Sequence, residues 1–493
     1  MARSPSGHTW KSLDTDLHRI GHLELAASYV ARPMVGTGVA LAFMVLAGIA
    51  AAVMSGQEPM RVAMIAAAVF GAYLAINIGA NDVANYMGPA VGARVLSMGG
   101  AIAIAAICES AGALLAGGDV AQTIAGNIID STALADAQTL IWAMLAAMIS
   151  AALWVNFATW ISAPVSTTHS IVGGVMGAGI AAQGLSAVHW DTMGMIAAGW
   201  IVAPLLGGAC AAAVLALIKS RIMYRADKIA AAQVWVPVLI GMMAGAFGTY
   251  LALKGLVHVV AVGRLPALAI GLGAGLVAWA AVRPVIRRQS AGLENRNRSL
   301  KKLFGLPLVC STALLSFAHG ANDVANAVGP AAAIIRAAQS GTFAESVAIP
   351  LWIMIIGAFG ISFGLFLFGP RLIRMVGSRI TKLNPMRAYC VALATALTVI
   401  LASWLGLPVS STHIAVGGVF GVGFFREWYL YRRLQQQGGP HTPDRRLASA
   451  ERRRRKLVRR SHLMTVLAAW TVTVPTAAGL SAGIFLMLSA LIG

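Results

Sequence analysis

The heptad GANDVAN occupies residues 79–85 and returns unchanged at 320–326, and PVSTTH at 164–169 is answered by PVSSTH at 408–413. All four stretches lie in strongly apolar surroundings. An ionised Asp at the centre of a bilayer costs roughly 3 kcal/mol or more, so Asp82 and Asp323 are expected to face a partner or a water-filled path. On a helix, Asn81, Asp82 and Asn85 fall on one arc, as do Asn322, Asp323 and Asn326. Carboxylate and amide oxygens are hard ligands, and one carboxylate per copy suits Na⁺ or a proton better than a divalent cage. Gly79, Gly88, Gly320 and Gly329, with Pro89 and Pro330, are expected to break these helices and free backbone carbonyls as further ligands. Interhelical hydrogen bonding alone accounts for a single buried Asn but poorly for a duplicated heptad.

The second pair of motifs offers the opposite chemistry. PVSTTH and PVSSTH read as helix starts with Pro in the first turn, where unpaired N–H groups and the positive end of the helix dipole favour an anion. Ser166, Thr167, Thr168, Ser410, Ser411 and Thr412 would add hydroxyl donors around a tetrahedral oxyanion without any Arg. His169 and His413 occupy matching places and either carry a proton or pack against a neighbouring helix. Glu109, in ICESAG, is an intramembrane acid suited to a cation or proton; the offset of 241 that relates the heptads carries it to Pro350, so it has no acidic counterpart. An oxyanion near Asp82 and Asp323 requires cations or protons to neutralise the carboxylates, which links the two sites reciprocally.

Positioning these residues needs a membrane scaffold. Of 493 residues 58% are hydrophobic and 11% charged, with mean hydropathy +0.77, outside the range of soluble domains. The expected fold is an all-α polytopic membrane protein of about 12–13 segments: 34–56, 62–95, 101–117, 138–161, 163–183, 195–218, 233–256, 265–283, 303–338, 346–369, 388–406, 408–424 and 464–492. Residues 1–33 read as a polar cytoplasmic lead-in rather than a signal peptide. With the N-terminus in the cytoplasm and each segment crossing once, only Arg61, Lys254, Arg264 and Arg336 of the 37 Lys and Arg residues fall on the far side. The positive-inside rule favours that solution, so the net charge of +20 points to membrane orientation and not to nucleic acid.

Under that topology the two heptads run antiparallel, and so do the two Ser/Thr motifs. Inverted copies of the same ordered elements are the architecture of secondary transporters with a mid-membrane site. The expected organisation is a first membrane half, 34–218; linking spans and basic loops, 219–302; an inverted second repeat, 303–425; a basic cytoplasmic insert, 426–462, in contact with anionic lipid; and a C-terminal span, 463–493. Cys108, Cys210, Cys310 and Cys390 lack metal-ligand spacing and read as small core residues. No HExxH motif or protease dyad points to an enzyme, and no cofactor is implied.

These motifs closely resemble the inorganic phosphate transporter (PiT) family, which is marked by the twice-occurring GANDVAN and the twice-occurring Pro-Val-Ser-Ser/Thr-Thr-His; VAQTIAGNIID at 120–130 and ICESAG also look like the family pattern. The resemblance implies phosphate symport with Na⁺ or H⁺ by alternating access, in an inverted-repeat fold, commonly as a homodimer in the cytoplasmic (inner) membrane. Carried over, Asn81, Asp82, Asn85, Asn322, Asp323 and Asn326 serve the cation sites, with Na⁺ possible at Asp82 and Asp323, and Ser166, Thr167, Thr168, Ser410, Ser411 and Thr412 hold phosphate. Similarity to bacterial members that take up metal phosphate favours H⁺ coupling, and sulfate is the alternative anion.

Overall fold

The computed structural model describes residues 34–56, 60–130, 134, 136–161, 165–255, 262–340, 349–379, 384–436 and 460–492. The N-terminal segment 1–33 and most of the basic insert lie outside them. The described residues form fifteen α-helices: α1 (Met34–Met54), α2 (Arg61–Gly92), α3 (Met98–Ala116), α4 (Gly118–Gly126), α5 (Ala137–Trp160), α6 (Thr167–Gln183), α7 (Trp190–Ile218), α8 (Lys228–Lys254), α9 (Arg264–Ser290), α10 (Asn297–Leu303), α11 (Gly305–Ser340), α12 (Leu351–Arg379), α13 (Pro385–Trp404), α14 (Ser411–Gln436) and α15 (Arg460–Ile492). Ten helices are long and apolar enough to cross a membrane, eleven when α10 and α11, bent by 44°, count as one span. The remaining predicted segments, 163–183 and 408–424, correspond to α6 and the first part of α14. No strand forms among the described residues, only an isolated bridge between Ile129 and Val188.

Three sequence expectations change. First, the heptads do not break their helices: α2 runs unbroken through residues 79–85 and Pro89, and α11 through 320–326 and Pro330. The glycines serve close packing instead. A Cβ on Gly79 would collide with the carbonyl of Ile361 on α12, and one on Gly320 with the carbonyl of Glu109 on α3, as small residues permit between membrane helices. Second, α5 and α6 fold back on each other as a hairpin, although α5 alone is long and apolar enough to span. Val188 and His189, after α6, pair with Ile129 and Ile128, before α5, while the first turn of α6 reaches the carboxylates described below. α13 and α14 form the equivalent hairpin, turned at Gly406, whose φ of +68° favours glycine. Two passes of a hairpin cancel, so the charge-derived orientation of every other span is unaffected. Third, Pro408 is not in the first turn of α14; it precedes the start, and Ser410 takes the capping position, its Oγ accepting from His413 N at 3.3 Å.

Antiparallel placement of the heptads is direct. Gly71 on α2 lies against Ala327 and Ala331 of α11, and eleven residues later Asp82 meets His319, so the two helices run oppositely. Each heptad helix packs on a helix from the other half: α2 on α12 through Gly79 and Gly364, α11 on α3 through Gly320 and Gly112. These contacts match under offsets of 241 for α2 to α11 and 252 for α3 to α12 (109 to 361). Ser110 and Ser362, equivalent under the second offset, hydrogen-bond to each other at 2.8 Å across the pseudo-two-fold axis. Gly417 and Gly421 of α14 pack on Pro204 and Gly208 of α7 as Gly173 and Gly177 of α6 pack on Val474 and Ala478 of α15. Helices α8 and α9 pack chiefly on each other, glycine to glycine, at Gly241 with Gly275 and Gly245 with Gly271.

Candidate functional site

The hairpin tips and the heptads meet at one buried centre. Ser166 caps α6, its Oγ accepting from His169 N at 3.1 Å, which turns the next two hydroxyls toward α2 and α11. Asp82 accepts from Thr167 at 3.1 Å and from Thr412 at 3.2 Å. Asp323 accepts from Thr168 at 3.3 Å and from Ser411 at 3.1 Å. Each carboxylate is therefore held by one hydroxyl from each hairpin, and the four bonds are two symmetric pairs. The heptad amides fill in the rest. Asn326 and Asn322 donate to Asp323 at 3.0 and 3.1 Å, Asn85 donates to Thr412 at 2.7 Å and to Asp82 at 3.4 Å, and Asn81 donates to Thr159 on α5 at 2.9 Å. Asp82, Asp323, Thr167, Thr168, Ser411 and Thr412 are all buried.

The two residue sets that the sequence assigns to cations and to an anion are thus one set in space. Ser166 and Ser410 differ from the other hydroxyls: each Oγ accepts a backbone N–H as the cap of its helix, which leaves its own O–H proton to donate. His169 and His413, one per hairpin, contact each other edge to face with ring centroids 4.4 Å apart, and His169 also packs on Trp200 at 3.9 Å. The imidazole that touches the carboxylates is a different one.

His319, immediately before the second heptad, was not among the residues singled out in the sequence. Its Nε2 is 2.7 Å from Asp323 and 3.6 Å from Asp82, and its Nδ1 is 2.5 Å from Glu109. Tyr86 completes the group, donating to Glu109 at 2.6 Å. Asp82, His319 and Asp323 each offer a ligand atom, all within 4.8 Å of one another. Three carboxyl groups and one imidazole thus share a single buried pocket, where any net charge demands compensation. His319 carried a signal, since an ionisable residue inside a membrane span is a functional candidate by default; exact repetition of the heptad drew attention past its flanks.

Symmetry breaks at this group. The 241 offset carries His319 to Ile78 and Tyr86 to Ala327. The structural counterpart of Glu109 is not Pro350 but Ile361, because Gly79 meets Ile361 as Gly320 meets Glu109. α11 runs 20 residues past Gly320 where α2 runs 13 past Gly79, and ten residues rather than five then lead to the next helix, so Ile361 lies 41 residues after Gly320 where Glu109 lies 30 after Gly79, a shift of eleven. The interface of α11 with α3, joined by Tyr86 of α2, thus holds a His–Glu–Tyr cluster where the equivalent interface of α2 with α12, joined by Ala327 of α11, holds Ile, Ile and Ala.

Comparison with known proteins agrees with this architecture. The family profile described as PHO4, phosphate transporter family, matches residues 78–481. A Helicobacter pylori protein provisionally named a phosphate permease is 47% identical over 425 residues, covering 86% of this chain and 79% of its own. A Pyrococcus abyssi protein with the same provisional name is 34% identical over 420 residues, 85% of this chain and 96% of its own. A solved structure described as the sodium-dependent phosphate transporter superposes with a TM-score of 0.79 at 33% identity, over 87% of this chain and 100% of that one. The chain is a multi-pass membrane transport protein, not an enzyme, and it belongs to the phosphate transporter family.

Proposed function

We propose that the protein is a secondary active symporter that moves inorganic phosphate with a cation by alternating access, with protons as the favoured coupling ion. The observation that carries the reading is the sharing of Thr167, Thr168, Ser411 and Thr412 between the two carboxylates. A hydroxyl has one proton to donate. While Asp82 and Asp323 are ionised and unpaired with a cation they engage Thr167, Ser411 and Thr412, with Thr168 divided between Asp323 and the Val409 carbonyl 3.1 Å away, and a phosphate would meet mainly oxygen lone pairs. Neutralising the carboxylates frees the hydroxyls to turn to the anion, and a bound anion in turn favours the neutralised carboxylates, a reciprocal coupling. Asn81, Asn85, Asn322 and Asn326 hold the carboxylate side of the site, and Glu109 joins it through His319.

Proton coupling is favoured because His319 bridges Glu109 to both aspartates. His169 and His413 are assigned a secondary relay role at the hairpin tips. Na⁺ at Asp82 and Asp323 is the second reading, supported by the clustered ligand atoms and by the similarity to a transporter described as sodium-dependent. Reconstituted protein in proteoliposomes, given labelled phosphate with pH and Na⁺ gradients imposed separately and sulfate as competitor, tests both. Uptake driven by an inward proton gradient without Na⁺ is expected. Uptake that needs Na⁺ and ignores the pH gradient transfers the assignment to Na⁺, and full competition by sulfate removes phosphate selectivity.

A further inference from the structure

A groove of about 360 Å³ opens between α7 and α14, lined by Gly208, Ala209, Gly421, Phe424, Phe425 and Trp428. It lies where Gly208 and Gly421 bring the two helices into backbone contact, and its lining is almost wholly apolar. Two of its aromatic walls lead to cations. Lys219 Nζ sits 4.4 Å from the Tyr429 ring centroid and 5.2 Å from that of Phe425, and the Arg432 guanidinium lies 4.9 Å from Trp428. A π turn, Lys219–Met223, ends α7 and aims Lys219 at this spot. Lys219 is 7% exposed, yet neither it nor Arg387 nor Arg426, which are near enough to repel it, makes an ion pair with any described residue.

A buried Lys without an anion, beside two more cations, calls for a negative partner that the described residues do not supply. Apolar wall and cationic rim are contiguous through Phe425 and Trp428, so the partner needs a hydrocarbon tail and an anionic head in one molecule. The rim lies at the membrane face where the basic loops gather, where anionic headgroups are expected to meet basic pockets between helices. We propose that this groove is a specific binding site for an anionic phospholipid, with one acyl chain along Gly208, Ala209 and Phe424 and the phosphate between Lys219, Arg387 and Arg426.

Native mass spectrometry of the detergent-purified full chain tests this, with phosphatidylglycerol, phosphatidylcholine of the same chains, and inorganic phosphate titrated separately. Phosphatidylglycerol is expected to bind at least fivefold more tightly than phosphatidylcholine, the factor that about 1 kcal/mol for one basic side chain converts to. Lys219→Met and Ala209→Phe are each expected to lose that preference or that binding, and Lys219→Arg to keep it. Thermal melting of each variant shows whether the fold survives; where Lys219→Met does not fold, the exposed Ala209→Phe decides. Equal retention of both lipids, unchanged binding in Ala209→Phe, or displacement of phosphatidylglycerol by millimolar inorganic phosphate would overturn the proposal. None of these readouts depends on transport.

Discussion

At the scale of single residues, the centre is a contest for protons and hydroxyls among buried groups. Asp82→Asn and Asp323→Asn keep the side-chain shape but remove the charge that a coupling cation must neutralise. Both are expected to abolish coupled phosphate uptake in proteoliposomes while leaving the protein in the membrane; normal accumulation by either variant would contradict the cation assignment. His319→Gln is expected to lower coupled uptake at least tenfold, because among the described residues His319 is the side chain that links Glu109 to both aspartates. Glu109→Gln should give the same phenotype if the two act as a unit, and the double variant should then be no worse than either single one. A double variant whose losses multiply would separate them. Thr167→Val removes a donor that the scheme shares between Asp82 and phosphate, so its effect should fall on the apparent phosphate affinity and less on the maximal rate.

At the scale of elements, glycine contacts fix how near the heptad helices approach their partners. A Cβ on Gly79 or Gly320 would overlap a backbone carbonyl on α12 or α3, and a helix backbone cannot yield as a flexible side chain can. Gly320→Ala is expected to lower the melting temperature and to disrupt the Glu109–His319 contact as well, since the clash is at Glu109 itself. Gly99, in the first turn of α3 with open space around its Cβ position, is the control: Gly99→Ala should be neutral or slightly stabilising, because it replaces a glycine within the helix without a clash. The hairpin turn at Gly406 depends on a backbone conformation costing about 1 kcal/mol or more for other residues. Its carbonyl accepts from Thr123 on α4 at 2.7 Å, tying the second hairpin's tip to the first half of the chain.

At the scale of the whole molecule, the hairpins approach the centre from opposite faces, so each face presents one hairpin base. In a cysteine-less background, Ser186→Cys at the base of α6 should react with a membrane-impermeant maleimide added outside intact cells, and Asn295→Cys only after the membrane is opened. Reversed labelling would invert the orientation inferred from charge. The polar cluster of His319, Glu109 and Tyr86 draws on both halves but lies on one side of the pseudo-two-fold axis, with Ile78, Ile361 and Ala327 in the equivalent place on the other. Halves related by exact symmetry would present two equal polar flanks; this centre has His319 and Glu109 on a single flank, so its two heptad interfaces do not carry identical chemistry.

The sequence by itself determined the class of the protein and most of its site. Lipid offers no hydrogen bonds, so a duplicated Asn–Asp heptad and a duplicated Ser/Thr run inside apolar spans had to find one another, and the charge bias of the loops set their inverted orientation. Tertiary structure alone decided which hydroxyl meets which carboxylate, that the heptad helices stay unbroken, that two segment pairs fold back as hairpins, and that His319 and Glu109 join the centre. Periodicity says which face of a helix is polar, but the partner on that face depends on where glycines let backbones touch, and the longer α11 and connection that make Ile361 the counterpart of Glu109 are recognised only when both halves are superposed in space.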